Sequence, residues 1–252
     1  MTTMIRHLTL ASLVVLAFSL TGCIKFKQTM TLMPDGAGKI NLSIGLSDQL
    51  MQMAKQQGED PFNDLDPMEL SKDSKGIVAF SKPEKKVEGG YTYMTFAAYF
   101  EDINEVELGS PDDEEPPAKF AFVKEGKGAT LTVEESMVLS AIADHEPISP
   151  EERAFAAQMT AGMLFAEVYN LPGAFEAMKG VTSDGQTATI EMTQANMLDG
   201  TGPIKDLKGV EKLVFKITEI KEDAEASKAF KAELEAAKKE WEAMKKEAEA
   251  AE

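Results

Sequence analysis

Apolar and polar residues alternate directly after residue 23. Four apolar side chains fall on one face of residues 24–33: Ile24, Phe26, Met30 and Leu32. This period of two is typical of a half-buried strand. A run of turn residues, Pro-Asp-Gly-Ala-Gly, fills positions 34–38, and the alternation resumes over residues 40–46. The pattern therefore predicts a β-hairpin that starts at residue 24.

The same alternation predicts further strands, most of them joined as hairpins. They lie at residues 76–81, 91–100, 119–124, 129–134, 163–171, 174–179, 187–193 and 212–220. The polar segment 82–90 is predicted to be a connection, and the Ser-Asp-Gly at 183–185 is predicted to be a turn. Residues 163–171 have one alternative, the continuation of a preceding helix, but Val168, Tyr169 and the Pro-Gly that follows favour a strand.

Capping residues predict helices between these strands. Ser47 or Asp48 begins a helix that ends near residue 57, where Gly58 stops it. A further helical turn is predicted over residues 66–73. The acidic stretch that follows the strand at 91–100 is predicted to be a solvated loop after one helical turn.

A third helix is predicted to begin at Ser149. Proline occupies its first helical position and Glu152 completes a capping box. This helix is predicted to end near Gly162. Strands joined as hairpins with inserted helices indicate an antiparallel α+β domain over residues 23–220.

The C-terminal segment 221–252 has a different pattern. From residue 223 it lacks Gly and Pro, and Ala, Glu and Lys dominate. Seven residues recur at four-three spacing on one stripe: Phe230, Leu234, Ala237, Trp241, Met244, Ala248 and Ala251. The stripe predicts a long amphipathic helix. A helix docked on the domain, or a solvated spacer, is favoured over an independent coiled coil because only three heptads are present.

The N-terminal segment has the layout of a secretory signal. Arg6 and His7 precede an uncharged apolar run over residues 8–20, which is too short to span a bilayer. Small residues then lead to Cys23, the only cysteine of the chain. An ordinary cleaved signal or a short anchor does not require this thiol. Residues 1–22 are therefore predicted to be a lipoprotein signal peptide, with Cys23 lipidated as the membrane anchor.

The residues after Cys23 suggest which membrane holds the protein and how the domain is oriented on it. Ile24 follows the cysteine, and diderm bacteria often retain lipoproteins in the inner membrane when Asp stands there. The outer membrane is therefore favoured if the cell has one. Lys25 and Lys27 share the polar face of the first strand, where each is expected to contribute about 1 kcal/mol near anionic head groups.

Charge and cysteine content exclude several classes of protein. The formal net charge is −17, and removal of the signal peptide also removes the positive charge of Arg6. Such a field repels nucleic acid, so no nucleic-acid partner is expected. With its single thiol lipidated, the chain has no disulfide and no thiolate metal site. The fold is expected to be held by packing alone.

Candidate catalytic and metal-binding residues are few. The mature chain has one histidine, His145, which lies between Asp and Glu but before a proline, as in an ordinary loop. Acidic clusters suit hard cations: Glu59, Asp60, Asp64, Asp66 and Glu69, and residues 112–115. Neither cluster has the spacing of a calcium loop, and the fifteen methionines are scattered as core fillers rather than copper ligands. No metal, cofactor or catalytic residue is predicted.

A family resemblance is carried by three features together. They are a lipidated cysteine leading into a hairpin with a Pro-Asp-Gly turn, the Leu-Pro-Gly at 171–173, and the Asp-Gly-Gln-Thr-Ala-Thr at 184–189. In these features the chain resembles the LppM-like bacterial lipoprotein domain over residues 23–220. The resemblance implies a non-enzymatic α+β envelope domain, with lipid or glycolipid binding suggested for some members. It transfers no functional residue, because the matched positions are turn and strand residues.

Three functions are consistent with these observations. The leading hypothesis is an exported, lipid-anchored envelope protein that acts as a non-catalytic binding or structural module for a lipid, glycolipid or protein. The alternative is a carboxylate-dependent hydrolase acting on cell-wall or glycan material, because 43 acids supply many chance carboxylate pairs. A structural spacer whose C-terminal helix binds a partner is the third.

Overall fold

The computed structural model describes residues 24–58, 60–108, 117–134, 136–143, 145 and 148–250, and for Asp64 and Met159 it describes the backbone alone. This part of the chain forms thirteen strands and seven helices, so the predicted α+β class is confirmed. The strands are β1 (Ile24–Leu32), β2 (Gly38–Ser47), β3 (Ser74–Lys75), β4 (Ile77–Phe80), β5 (Glu84–Glu88), β6 (Tyr91–Phe100), β7 (Glu107–Leu108), β8 (Ala118–Glu125), β9 (Gly128–Glu134), β10 (Leu164–Asn170), β11 (Thr182–Asp184), β12 (Thr187–Thr193) and β13 (Lys212–Ile217). The helices are α1 (Asp48–Gln57), α2 (Pro67–Asp73), α3 (Met137–Ala143), α4 (Arg153–Met159), α5 (Gln194–Asp199), α6 (Pro203–Leu207) and α7 (Ala224–Glu249).

Eight strands form the larger sheet, in the order β11-β12-β10-β1-β2-β6-β4, and β5 joins β4 along the outer edge of β6. The first strand, β1, is therefore central. Its pair with β2 is the predicted hairpin, in which Met30 lies opposite Ile40 and Ile24 opposite Leu46. Its pair with β10 is parallel, an exception to the predicted antiparallel arrangement. The smaller sheet is antiparallel, with the order β13-β9-β8-β7-β3.

Two apolar clusters pack against the larger sheet. The first fills the space between β1, β2, β10 and β12, the smaller sheet, and helices α3 and α6. Its centre includes the rings of Tyr169 and Phe215, whose centroids are 4.9 Å apart. The second cluster joins β2, β4 and β6 to α1, α2 and α7. Leu42 contacts both clusters, so the apolar interior is continuous.

Helix α7 is docked along β4, which is an edge strand of the larger sheet. Four residues of the predicted stripe are buried there: Phe230, Leu234, Ala237 and Trp241. The Trp241 ring lies 5.4 Å from the Phe80 ring. Lys39 and the Tyr99 hydroxyl both bind the Glu233 carboxylate, at 2.5 and 2.9 Å. The helix therefore covers a strand edge that would otherwise be open to pairing with another chain.

The predicted strand at residues 174–179 is wrong. Only Phe175 forms a bridge there, opposite Ile217 of β13. Phe175 is buried and Met178 packs against the first cluster from an irregular segment. The alternating pattern reflects the burial of these side chains. A buried segment does not have to form the ladder of hydrogen bonds that defines a strand. The strand that precedes the turn at residue 185 is instead β11.

Other boundaries also differ from the predictions. Strand β5 occupies the segment predicted to be a connection, and all five of its residues are exposed, so it leaves no apolar pattern. Helix α4 begins at Arg153, because Ser149 and Glu152 bond to each other in a turn before the helix. Helices α3, α5 and α6 were not predicted, since segments of five to seven residues show less than two helical turns of pattern.

Replacing Gly173 with alanine is expected to lower the free energy of unfolding by about 1–3 kcal/mol, the range for an overfilled site. The new methyl carbon would lie 2.0 Å from the carbonyl oxygen of Glu219. That backbone is held in place, because the Lys221 amide donates to the Pro172 carbonyl at 2.8 Å. Urea unfolding followed by circular dichroism measures the change. An unchanged midpoint would show that these two segments are not in close contact.

Candidate binding site

The larger sheet has an open pocket of about 500 Å³ on the face opposite to the first apolar cluster. It is lined by Ser43, Glu84, Lys85, Lys86, Glu88, Tyr93 and Thr95. Strand register explains why these residues meet. One row across the sheet runs from Lys27 through Ser43 and Thr95 to Glu84. The next runs from Lys25 through Gly45 and Tyr93 to Lys86, so the pocket combines side chains of β2, β5 and β6.

A glycine shapes the floor of this pocket. A Cβ atom added at Gly45 would lie 2.6 Å from the Tyr93 ring, so the ring lies directly over the glycine. The ring of Tyr91 is 6.0 Å from that of Tyr93, and the Lys25 ammonium lies 4.1 Å from the centre of the Tyr91 ring. The pocket wall thus includes the ring of Tyr93, and a second ring with a cation beside it lies next to the wall.

Three of the four charged side chains that line the pocket form ion pairs, and all four are exposed. Lys86 and Glu88 form an ion pair at 2.7 Å. The hydrogen bond from Lys86 lowers the pKa of Glu88, and the same bond raises the pKa of Lys86. Lys85 pairs with Asp60 at 2.7 Å, and this hydrogen bond lowers the pKa of Asp60. The pocket therefore offers hydroxyl groups, aromatic faces and charges of both signs, which suits a polyol more than a strongly charged ligand.

The pocket lies at the end of the sheet where β1 begins. Ile24 is opposite Leu46 near the end of β2, and Ser47 is opposite Tyr91 at the start of β6. Three strand spacings separate β1 from β5, or about 15 Å. The first described residue and the pocket are thus close neighbours in the fold.

A second polar group, Glu167 of β10, is buried in the first cluster. Its side chain is 1% exposed and lies on the inner face of the sheet, opposite Ile190. The carboxylate accepts from the Val138 amide at 3.2 Å and from the Tyr169 hydroxyl at 2.8 Å, with further hydrogen bonds from residues 136 and 137. Burial raises the pKa of Glu167. The carboxylate closes the first turn of α3 and has no route to a substrate, so its role is structural.

Neither Glu88 nor Glu167 suits a general acid. Glu88 is accessible, but its pKa is lowered, whereas a glycosidase acid needs a raised pKa. Glu167 has a raised pKa, but it is enclosed by the core. The hydrolase alternative gains no support from either residue.

The candidate site residues named from the sequence lie in separate parts of the chain, and those that the structure describes do not form one site. Cys23 and the signal peptide lie outside the described residues, and lipidation at Cys23 stays a prediction. His145 donates from Nε2 to the carbonyl oxygen of Met197 at 2.7 Å, which joins the end of α3 to α5. Its acidic neighbours at 144 and 146 lie outside the described residues. In this position the His145 ring is held by a backbone carbonyl group, which is a structural role.

The first acidic cluster is divided among separate partners. Asp66 caps α2, Glu69 pairs with Lys72 at 2.6 Å, and Asp60 pairs with Lys85. Outside the described side chains lie Glu59, Asp64 and residues 112–115. Within the described residues, no three His, Cys, Asp or Glu side chains are grouped to hold a metal ion. Methionines belong to the apolar clusters at Met30, Met51, Met94 and Met192.

The pocket and Glu167 were both missed by sequence reasoning. The pocket draws on β5, whose exposed residues look like a loop in the sequence. Glu167 left a weak signal: an acid two residues after Phe165 and two before Tyr169, on the apolar face of a predicted strand. That position requires either a partner or a solvent route.

Comparisons with known proteins give one weak likeness. No family model matches the chain, and no curated protein matches it. Among solved structures, the NMR structure of the folded domain of the Mycobacterium tuberculosis protein LppM matches with a TM-score of 0.34 and 11% identity, over 81% of this chain and 94% of that chain. In the part of the chain described, no helix is long and apolar enough to cross a bilayer. The likeness to LppM is a weak one at the level of the fold, and membership of the LppM-like family stays a prediction.

Proposed function

We propose that this chain is a lipid-anchored envelope protein whose folded part binds the head group of a lipid or glycolipid, and that it catalyses no reaction. The observation that carries the proposal is the position of the pocket. It opens at the end of the larger sheet where β1 begins, one residue after Cys23. A ligand in this pocket is within about 15 Å of the anchor strand, so the pocket and the proposed lipid lie at the same end of the fold.

The chemistry of the pocket favours a neutral, hydroxyl-rich head group. Tyr93 offers an aromatic face, and Ser43 and Thr95 offer hydroxyl groups that donate and accept. Lys86 is already paired with Glu88, and the net charge of −17 repels anionic ligands. A sugar ring stacks on an aromatic face and bonds to hydroxyls and carboxylates, so glycolipid is the preferred ligand class.

The proposed location follows from the lipid. A diacylated cysteine gives stable anchoring because more than one acyl chain is buried. Ile24 after the cysteine favours the outer membrane if the cell is diderm. The smaller sheet and helix α7 would then face away from the bilayer as a structural support for the pocket.

Replacing Tyr93 with alanine is expected to reduce bound lipid about tenfold, equivalent to about 1.4 kcal/mol. The change removes the aromatic face and leaves the sheet ladder in place. The full chain is extracted from its own membrane in mild detergent, and native mass spectrometry measures the fraction that carries lipid. Gly45→Ala displaces the same ring and is expected to act in the same direction.

The matched control compares the loss of two exposed lysines, one in the pocket and one outside it. Lys86→Ala removes the pocket lysine of the Glu88 pair, and Lys216→Ala removes an equally exposed lysine beside Glu176. Only the first is expected to change the lipid fraction. Equal lipid occupancy in all variants would refute the proposal that the pocket binds lipid. Recovery of a cleaved head group, lost with a pocket carboxylate, would support the hydrolase instead.

A further inference from the structure

Three of the large exposed apolar side chains lie near the start of β1. In the described part of the chain the large exposed ones are Ile24, Met53, Val87, Val123, Met137 and Phe155. Ile24 and Val87 share one row across the sheet, through Leu46 and Thr92. Single exposed apolar residues are ordinary on a protein surface, so the informative feature is the location that these side chains share.

Phe155, which is 64% exposed, belongs to the same end of the molecule. It lies on α4, directly before β10, whose first residue is level with Lys25 of β1. Helix α4 is held to α5 by an ion pair between Arg153 and Asp199. Since α5 follows the last residue of β12, which is opposite Leu164, both helices flank the start of β1.

Residues typical of a membrane interface accompany these side chains. Tyr91 and Tyr93 lie at the same end on the other face of the sheet, with the Lys25 ammonium over the Tyr91 ring. Tyrosine has an apolar ring and a polar tip, and lysine keeps its charge in water while its stem lies on apolar surface. We call this surface, defined by Ile24, Val87 and Phe155 with the two tyrosines, the anchor end.

We propose that the anchor end lies in the interfacial region of the bilayer, where Ile24, Val87 and Phe155 contact lipid. The inference rests on the proposed lipidation of Cys23, which leaves β1 no linker to hold the sheet away from the membrane. The occupant is a lipid bilayer, because the anchor is attached one residue before Ile24. The lysines here are partly offset by Glu88 and Asp48, so apolar contact rather than attraction to anionic lipid holds the surface.

Site-directed spin labelling tests the contact in the lipidated full chain. With Cys23 acylated, a single introduced cysteine takes the label alone. Phe155→Cys and Val87→Cys place it at the anchor end. Val123→Cys is the matched control, because Val123 is 53% exposed and its neighbour Phe122 lies beside Gly36 in the β1–β2 turn, at the opposite end of β1.

The proteins are reconstituted in vesicles of phosphatidylcholine alone. Labels at residues 155 and 87 are expected to collide more often with oxygen than with a water-soluble nickel chelate. The ratio of the oxygen collision rate to the nickel collision rate is expected to be several-fold higher at these positions than at residue 123. Adding 30% phosphatidylglycerol is expected to leave the ratio unchanged. A ratio equal to that at 123 in protein that floats with the vesicles would overturn the contact while the anchor stands.

Two further outcomes would also overturn the proposal, each at a different step. A ratio that rises only with anionic lipid would assign the contact to Lys25 and Lys27 and overturn the apolar mechanism. A free thiol at Cys23 in protein that does not float with vesicles would overturn the anchor and the inference together. Flotation and thiol content therefore separate failure of the anchor from failure of the surface.

Discussion

Replacing Trp241 with alanine is expected to lower the free energy of unfolding by about 3–5 kcal/mol, the usual cost of deleting a large buried aromatic side chain. Trp241 is 6% exposed, and its ring contacts Phe80 of the edge strand at 5.4 Å. Four residues of α7 are buried in the second cluster, and Trp241 is the largest of them. Its removal leaves a cavity between the helix and β4 that neighbouring backbone cannot close.

Urea unfolding followed by far-ultraviolet circular dichroism measures this effect. Fluorescence is unsuitable, because Trp241 is the only tryptophan of the chain. Phe155→Ala is the control, since it also deletes an aromatic ring but from an exposed position, and a change within about 0.5 kcal/mol is expected. If both variants unfold at the same urea concentration as the parent, α7 is a solvated spacer rather than a docked helix.

Replacing Glu167 with alanine is expected to cost about 3 kcal/mol or more. The Val138 amide and the Tyr169 hydroxyl would lose their acceptor inside the first cluster, and each buried donor left without a partner costs about 1–3 kcal/mol. Glu167→Gln keeps an oxygen acceptor of the same shape and is expected to cost less. Urea unfolding of both variants at neutral pH measures the difference.

The same pair of proteins tests the raised pKa of Glu167. Burial raises this pKa above the usual 4.5, so the folded state binds the proton more tightly than the unfolded state. The contribution to stability is therefore fully present below pH 4.5 and falls as pH rises toward the folded pKa. Glutamine does not titrate, so the stability of the parent relative to Glu167→Gln should fall over this window and then level off. A difference that is constant or rises with pH would contradict the burial of this carboxyl.

The sequence predictions were accurate where a local pattern of apolar residues was long enough to show its period. The first hairpin was predicted to within two residues at each strand end, and α1 was predicted with its bounds, because alternation, Ser47 and Gly58 each act locally. The parallel pair of β1 with β10 was not predicted, since pairing of distant strands leaves no period in either one. Strand β5 was missed because its hydrogen bonds to β6 place no side chain in a core.

The candidate site was less predictable than the fold. Lys25 and Lys27 were assigned to the polar face of the first strand, and register does place them in the pocket rows. The residues that complete these rows come from β5 and β6, whose register against β2 is a tertiary property. Glu167 required knowledge of what covers β10, which is the first turn of α3.

The central position of β1 has a mechanical consequence. A membrane tether at the proposed lipidation site, Cys23, would pull along the axis of β1, which is bonded on one side to β2 and on the other to β10. The load falls on both ladders in shear, so their hydrogen bonds resist together instead of opening one after another. An edge strand such as β11 or β4 would peel away under the same pull. The fold thus places a strand that is bonded on both sides where the proposed membrane anchor would exert force.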